Sequence, residues 1–109
     1  MNAAGLIVVL TQISSGLGMP FYQTLVTDGS IQQGEFEGTR KNLAAVLATI
    51  KNTPTDKIEA MVAQHDANLT AHLDSYNSKW GADPLGGFRD AQVIAGYVTT
   101  IMAKSGLTE

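Results

Sequence analysis

The chain has 109 residues and a mass of 11.5 kDa, the size of one domain, and we predict a single helical domain over residues 1–109. It contains no cysteine, which excludes thiol catalysis, thiolate metal sites and disulfide bonds. The formal net charge is −3, and the seven Lys and Arg residues are scattered among ten acidic residues. Because sequence-independent nucleic-acid binding needs clustered cations, we expect no nucleic-acid partner.

Charged residues are few in this chain. They make up 16% of it, against about 25% in ordinary soluble domains. Small and uncharged polar residues take their place, and the mean hydropathy is slightly positive at +0.03. The cores of protein interfaces are depleted in charge in the same way. The composition therefore favours a chain that associates with itself or with a stable protein partner.

The N-terminal segment contains an unbroken apolar run, Leu6–Leu10. Asn2 is placed to cap a first helix over about Ala3–Ser15, and a helix that is apolar on every side is buried in the core or against a partner. A strand is the alternative for residues 6–10, because periodicity does not distinguish a short buried strand from a buried helix. The run is shorter than the about 20 residues that span a membrane, and no Lys or Arg precedes it. We therefore expect a cytoplasmic chain without a membrane span.

Two further helices are predicted before the middle of the chain. Pro20 suits the first turn of a short helix that ends near Asp28. Ser30 and Gln33 have the spacing of a capping box, which predicts the start of a helix that continues to Asn52.

The clearest element is a long central helix from about Pro54 to about Trp80, with Thr53 as its N-cap. Its apolar seam follows heptad spacing through Ile58, Val62, His65, Leu69, His72 and Tyr76. Such a helix is roughly 40 Å long, which is long for so small a protein. Either another helix runs alongside most of its length, or one end projects to meet a neighbour.

A last helix is predicted after the turn that follows Trp80. Asp83 and Pro84 form an N-cap and a first-turn proline, although the next two glycines can delay the helix to about Phe88. Its expected apolar face consists of Val93, Ile94, Tyr97, Val98, Ile101 and Met102. Gly96 on this helix either allows the close approach of another backbone or is merely tolerated. The elements together predict an all-α, compact array of four to five helices.

His65 and His72 are the residues with the clearest potential for site chemistry. They lie two turns and roughly 10 Å apart on one face, which is too far for both to bind one metal ion from a straight helix. We interpret them as half-buried seam residues with hydrogen-bonded nitrogens; the alternative is a helical metal- or small-cofactor-binding protein that uses both. No nucleophile elbow or phosphate-binding loop occurs, so we predict no enzyme and no cofactor.

The expected function is that of a small, non-catalytic assembly or adaptor subunit. It would contact copies of itself, as a homo-oligomer, or a larger partner, as subunits of viral particles and other multi-copy assemblies do. The expected interface combines apolar residues of the first helix with the seam of the central helix: Leu6, Val9, Ile13, His65, Leu69, His72, Tyr76 and Trp80.

Overall fold

Five α-helices make up the fold of residues 1–107, which are the residues that the structure, a computed structural model, describes. In chain order they are α1 (Ala3–Gly16), α2 (Pro20–Thr27), α3 (Gln33–Lys51), α4 (Thr55–Lys79) and α5 (Pro84–Lys104). This part of the chain contains no strand, so the all-α prediction is confirmed and the strand alternative for residues 6–10 is wrong. The cap predicted for α1 is also confirmed, because Asn2 Oδ1 accepts a hydrogen bond from the Gly5 amide at 2.7 Å.

Two predicted helix starts are displaced because the capping hydroxyl is engaged elsewhere. Thr53 Oγ1 donates to the Thr49 carbonyl at 2.7 Å, so it belongs to the end of α3, and Pro54 occupies the N-cap position of α4. Ser30 Oγ donates to Asp28 Oδ1 at 2.6 Å and closes a turn after α2. The capping box predicted at Ser30 is therefore wrong, and α3 begins at Gln33 with Gln32 at its N-cap.

α5 covers α4 along most of its length. Asp83 Oδ1 accepts from the Gly86 amide at 2.9 Å, so α5 begins at Pro84 without the delay that the glycines suggested. Ser75 donates to Asp90 at 2.9 Å near one end of the pair. The later α5 residue Tyr97 contacts the earlier α4 residue His65 at the other end, so the two helices are antiparallel. The length of α4 is accommodated inside the fold, whose longest dimension is 43 Å.

The first turns of α3 pack against α5 through both apolar and polar contacts. The rings of Phe36 and Phe88 stack with centroids 5.7 Å apart in the core. Beside them Gln92 Nε2 donates to Glu35 Oε1 at 3.0 Å, and Arg89 forms an ion pair with the same carboxylate. The hydrogen bond from Arg89 holds the pKa of the Glu35 carboxyl below its usual value. α3 is therefore held in register on α5 by a charged contact at the surface above the stacked rings.

Of the two alternatives for Gly96, the tolerated glycine is confirmed, and a close approach on α5 occurs instead at Gly87. A Cβ added at Gly87 would lie 2.8 Å from the hydroxyl oxygen of Tyr22, whose side chain is completely buried. Gly96 is exposed, and no atom lies within 4 Å of the position of its absent Cβ. Val93, which was placed on the apolar face, is 47% exposed, so that placement is wrong. The other predicted residues Ile94, Val98, Ile101 and Met102 are buried, and Ala91 and Ala95 complete the buried face near Val93.

Four aromatic rings connect α2 to the end of α4, and we call them the aromatic cluster: Phe21, Tyr22, Tyr76 and Trp80. Phe21 and Tyr22 lie 5.3 and 5.5 Å from Trp80, measured between ring centroids. Tyr76 lies 6.1 Å from Trp80 and 6.4 Å from Tyr22. Separations of this size are those at which aromatic pairs attract one another. The cluster therefore joins the short helix α2 to the end of the longest helix.

The hydroxyl groups of Tyr22 and Tyr76 are buried, and within residues 1–107 neither has a hydrogen-bond partner. Burial raises the pKa of both phenols, because the ionised form would lose its hydration. The neighbouring Tyr76 and the carboxylate of Asp90 raise the pKa of Tyr22 further. The hydroxyls of Tyr22 and Tyr76 lie close together but do not form a hydrogen bond with each other.

We expect opposite effects from Gly87→Ala and Gly96→Ala on the free energy of unfolding. At position 87 the new methyl group must displace a buried phenol, which costs about 1–3 kcal/mol. At position 96 the methyl group meets open space. Alanine also lowers the conformational entropy of the unfolded chain, so this replacement should stabilise the folded state by about 0.5–1 kcal/mol. Urea unfolding followed by circular dichroism measures both, and equal effects from the two replacements would contradict the packing at Gly87.

We also expect the fold to lose stability in alkaline solution through these two tyrosines. Their folded-state pKa values lie above the about 10 of the unfolded chain, so their contribution is complete below pH 10 and is lost as the pH rises beyond it. The slope reaches about 1.4 kcal/mol per pH unit for each tyrosine. Tyr76→Phe should leave the free energy of unfolding at pH 7 unchanged or higher, and should be more stable than the wild type at pH 10.5. Urea unfolding at the two pH values tests this. If the variant lost as much stability as the wild type between pH 7 and pH 10.5, the prediction would be wrong.

Candidate functional site

The residues predicted for an interface fall into two groups by exposure. The side chains of Leu6, Ile13, Leu69 and Tyr76 are at most 5% exposed and pack in the core of the chain itself. Leu6 and Leu69 are therefore unavailable to a partner, and Ile13 and Tyr76 expose only a few atoms each. Val9, His65 and His72 are half-buried, and Trp80 is 41% exposed.

A shallow groove lies between α1 and the last turns of α4, and we call it the Trp80 groove. Its volume is about 200 Å³, and its lining residues are Val9, Gln12, Ile13, Tyr76, Asn77 and Trp80. None of these six residues is charged. Gln12 and Asn77 are exposed, whereas Ile13 and Tyr76 are buried and Val9 is half-buried. An apolar floor with a polar rim is the usual arrangement of a protein-binding surface.

Trp80 is packed against the chain on two sides although it is 41% exposed. A Cβ added at Gly16 would lie 3.2 Å from the indole ring, so the ring rests directly on the end of α1. The centroid of Phe21 lies 5.3 Å away on a second side. Trp80 ends α4, and the positive φ of 80° at Gly81 turns the chain away behind it. The indole therefore presents a fixed, open face beside the groove.

Two residues of the groove were missed by the sequence analysis. Gln12 lies three positions after Val9, and Asn77 lies three positions before Trp80, so each shares a helix face with a predicted residue. The signal was present in that spacing, but a search for apolar seams passes over amide side chains.

The two histidines lie in contact with one residue of α5. Tyr97 places its hydroxyl oxygen 3.3 Å from His65 Nδ1. Its ring makes edge contacts with both imidazoles, with centroids 6.2 Å from His65 and 5.1 Å from His72. No group of three potential metal-ligating His, Cys, Asp or Glu side chains occurs within residues 1–107. The sequence placed Tyr97 on an apolar face, but its hydroxyl group contacts His65 in the seam of α4.

α1 takes part in the core through its apolar residues Leu6, Leu10 and Ile13. No single helix of the described chain is long and apolar enough to cross a membrane. α1 and α2 together reach the required length and hydropathy, but they are bent by 49° at the turn between them.

Comparison with known proteins adds no relative on which to base an assignment. No family model matches the chain, and neither a curated protein nor a solved structure matches it. Among the features of the described chain, the packed but exposed indole of Trp80 is the most distinctive.

Proposed function

We propose that the chain is a non-catalytic helical assembly subunit, and that it binds a second copy of itself through the Trp80 groove. The observation that supports this most directly is that Trp80 is held in place by the aromatic cluster and is still 41% exposed. Tryptophan and tyrosine are enriched among the residues that dominate binding energy in protein interfaces. A side chain that is ordered before binding also loses little conformational entropy when it binds.

The size of the groove favours a protein side chain as its occupant. Sites for small molecules usually enclose about 300–1,000 Å³, and this groove is smaller, at about 200 Å³. Its lining is uncharged, so a partner side chain can displace water without removing a charge from solvent. These properties fit the insertion of one large, uncharged side chain.

A second copy of the chain supplies such a side chain in the right position. Trp80 is itself one of the lining residues, so a two-fold axis beside it would bring the exposed face of each indole against the groove of the other copy. Because the contact is uncharged, the net charge of −3 on each copy does not oppose it at close range. The low charge content of the whole chain agrees with this proposal.

We expect Asn77→Lys to separate the copies. Asn77 is exposed at the edge of the groove, so a lysine there adds an ammonium group that the contact would have to desolvate, twice in a two-fold dimer. The dissociation constant should rise by about tenfold or more. Light scattering coupled to size-exclusion chromatography should show a wild-type mass of about twice 11.5 kDa and a variant mass close to that of the monomer.

Asn42→Lys is the matched control, because Asn42 is exposed on α3 and does not line the groove. It should leave the mass of the wild type unchanged. A wild-type chain that stays monomeric at high concentration, or equal effects of the two lysines, would refute self-association through this groove. If the chain were monomeric alone but bound stoichiometrically to another protein through Asn77, the partner would be heterologous and the proposed homodimer would be wrong.

A further inference from the structure

A second and larger concavity lies at the opposite end of α4, and we call it the basic cavity. Its volume is about 530 Å³, within the range of small-molecule sites. The polar side chains that line it are Lys57, Gln64 and His65 from α4 and Lys104 and Ser105 from the end of α5. Ala60, Met61 and Leu107 supply apolar surface.

Charge on the first half of α4 is divided between two faces of the helix. Lys57 and Gln64 are two turns apart and face the basic cavity. Glu59 and Asp66 lie on roughly the opposite face of the helix, by the 3.6-residue periodicity. There Glu59 Oε1 accepts from the Ala3 amide at 3.0 Å, and Asp66 Oδ1 lies 3.1 Å from the backbone nitrogen of Met1. The carboxylates of Glu59 and Asp66 are therefore turned toward α1 and away from the cavity, and the exposed Asp56 does not line it.

The groups at the cavity are mainly hydrogen-bond donors. Lys57 and Lys104 carry ammonium groups, and neither forms an ion pair within residues 1–107. The hydroxyl of Tyr97 can donate to His65 Nδ1, which leaves Nε2 protonated and able to donate in turn. No acidic side chain of the described chain lines the cavity.

Most of the final carbonyl groups of α5 accept hydrogen bonds within a closing turn beside the cavity. The Ser105 amide donates to the Ile101 carbonyl at 3.0 Å, and the Leu107 amide donates to the Met102 carbonyl at 3.0 Å. The positive φ of 73° at Gly106 permits this closing turn. Three of the last four carbonyls of α5, those of Ile101, Met102 and Ala103, are therefore already hydrogen-bonded, which reduces their repulsion of an anion.

We propose that the basic cavity binds a small organic anion, in which a carboxylate or phosphate group is attached to an apolar body. Lys57 and Lys104 neutralise the anionic group, and His65 and Ser105 donate hydrogen bonds to it. Ala60 and Leu107 contact the apolar body. This site is separate from the Trp80 groove and does not depend on self-association.

Amide chemical shifts of the full-length chain, followed by NMR during titration, test the site. The probes are benzoate, its neutral analogue benzamide, phenyl phosphate and inorganic phosphate. Benzoate or phenyl phosphate should shift the amide signals of Gln64, Ser105 and Gly106, and benzamide should bind at least about tenfold more weakly because it lacks the charge. Comparison of benzoate with phenyl phosphate identifies which anionic group is preferred, and inorganic phosphate shows whether the apolar body contributes.

Variants then locate the binding. Replacing both cavity lysines, in Lys57→Gln/Lys104→Gln, should weaken binding of the preferred anion by about tenfold or more. The control Lys41→Gln/Lys51→Gln removes the same charge from exposed positions of α3 that do not line the cavity, and should change the affinity little.

Three results would overturn the proposal: no shifts with any anion, equal binding of benzamide and benzoate, or equal losses in the two double variants. The comparison of benzoate with benzamide uses the wild type alone, so it decides the question even if a variant fails to fold. Asn77→Lys should retain anion binding in full, which distinguishes failure of this site from failure of the groove.

Discussion

α4 is about 40 Å long and apolar along one side, and a stripe of that length requires cover from water. α5 provides it by folding back antiparallel from the turn at Gly81, with Ser75 bound to Asp90 near one end and His65 to Tyr97 near the other. The remaining helices are arranged around this pair. α3 is attached to α5 through Phe36 and Glu35, and α2 is attached to the end of α4 through the aromatic cluster.

The two candidate sites follow from where this pairing ends. At the C-terminal end of α4 the chain turns away at Gly81, which leaves one face of Trp80 open beside α1. At the other end α5 finishes in a closing turn next to the first turns of α4, and the space between them is the basic cavity. The two sites differ in chemistry because charge is unevenly distributed. The groove is uncharged, and the cavity collects two lysines while α1 engages the neighbouring carboxylates.

The buried tyrosines and the exposed tryptophan of the aromatic cluster differ in their access to solvent. Tyr22 and Tyr76 pack against Trp80, and their hydroxyls lack partners in the described chain. Tyr22 belongs wholly to the core, whereas Tyr76 also lines the Trp80 groove. Trp80 rests on them and supplies the exposed area. A side chain that is packed on one side and exposed on the other loses little conformational entropy when it binds a partner.

Helix positions and the seam of α4 were predictable from the sequence because their signals act locally, over one or two turns. The Asn2 and Asp83 caps, Pro20 and the heptad spacing needed no knowledge of other helices. What the tertiary structure alone decided was which faces are covered. Tyr22 meets Gly87, Tyr97 meets His65, and Leu6 is buried where an interface was expected, because each depends on residues distant in the chain. The same reason applies to both sites: the spacing along one helix predicts a face, and only the packing of a second helix determines whether that face becomes core, groove or cavity.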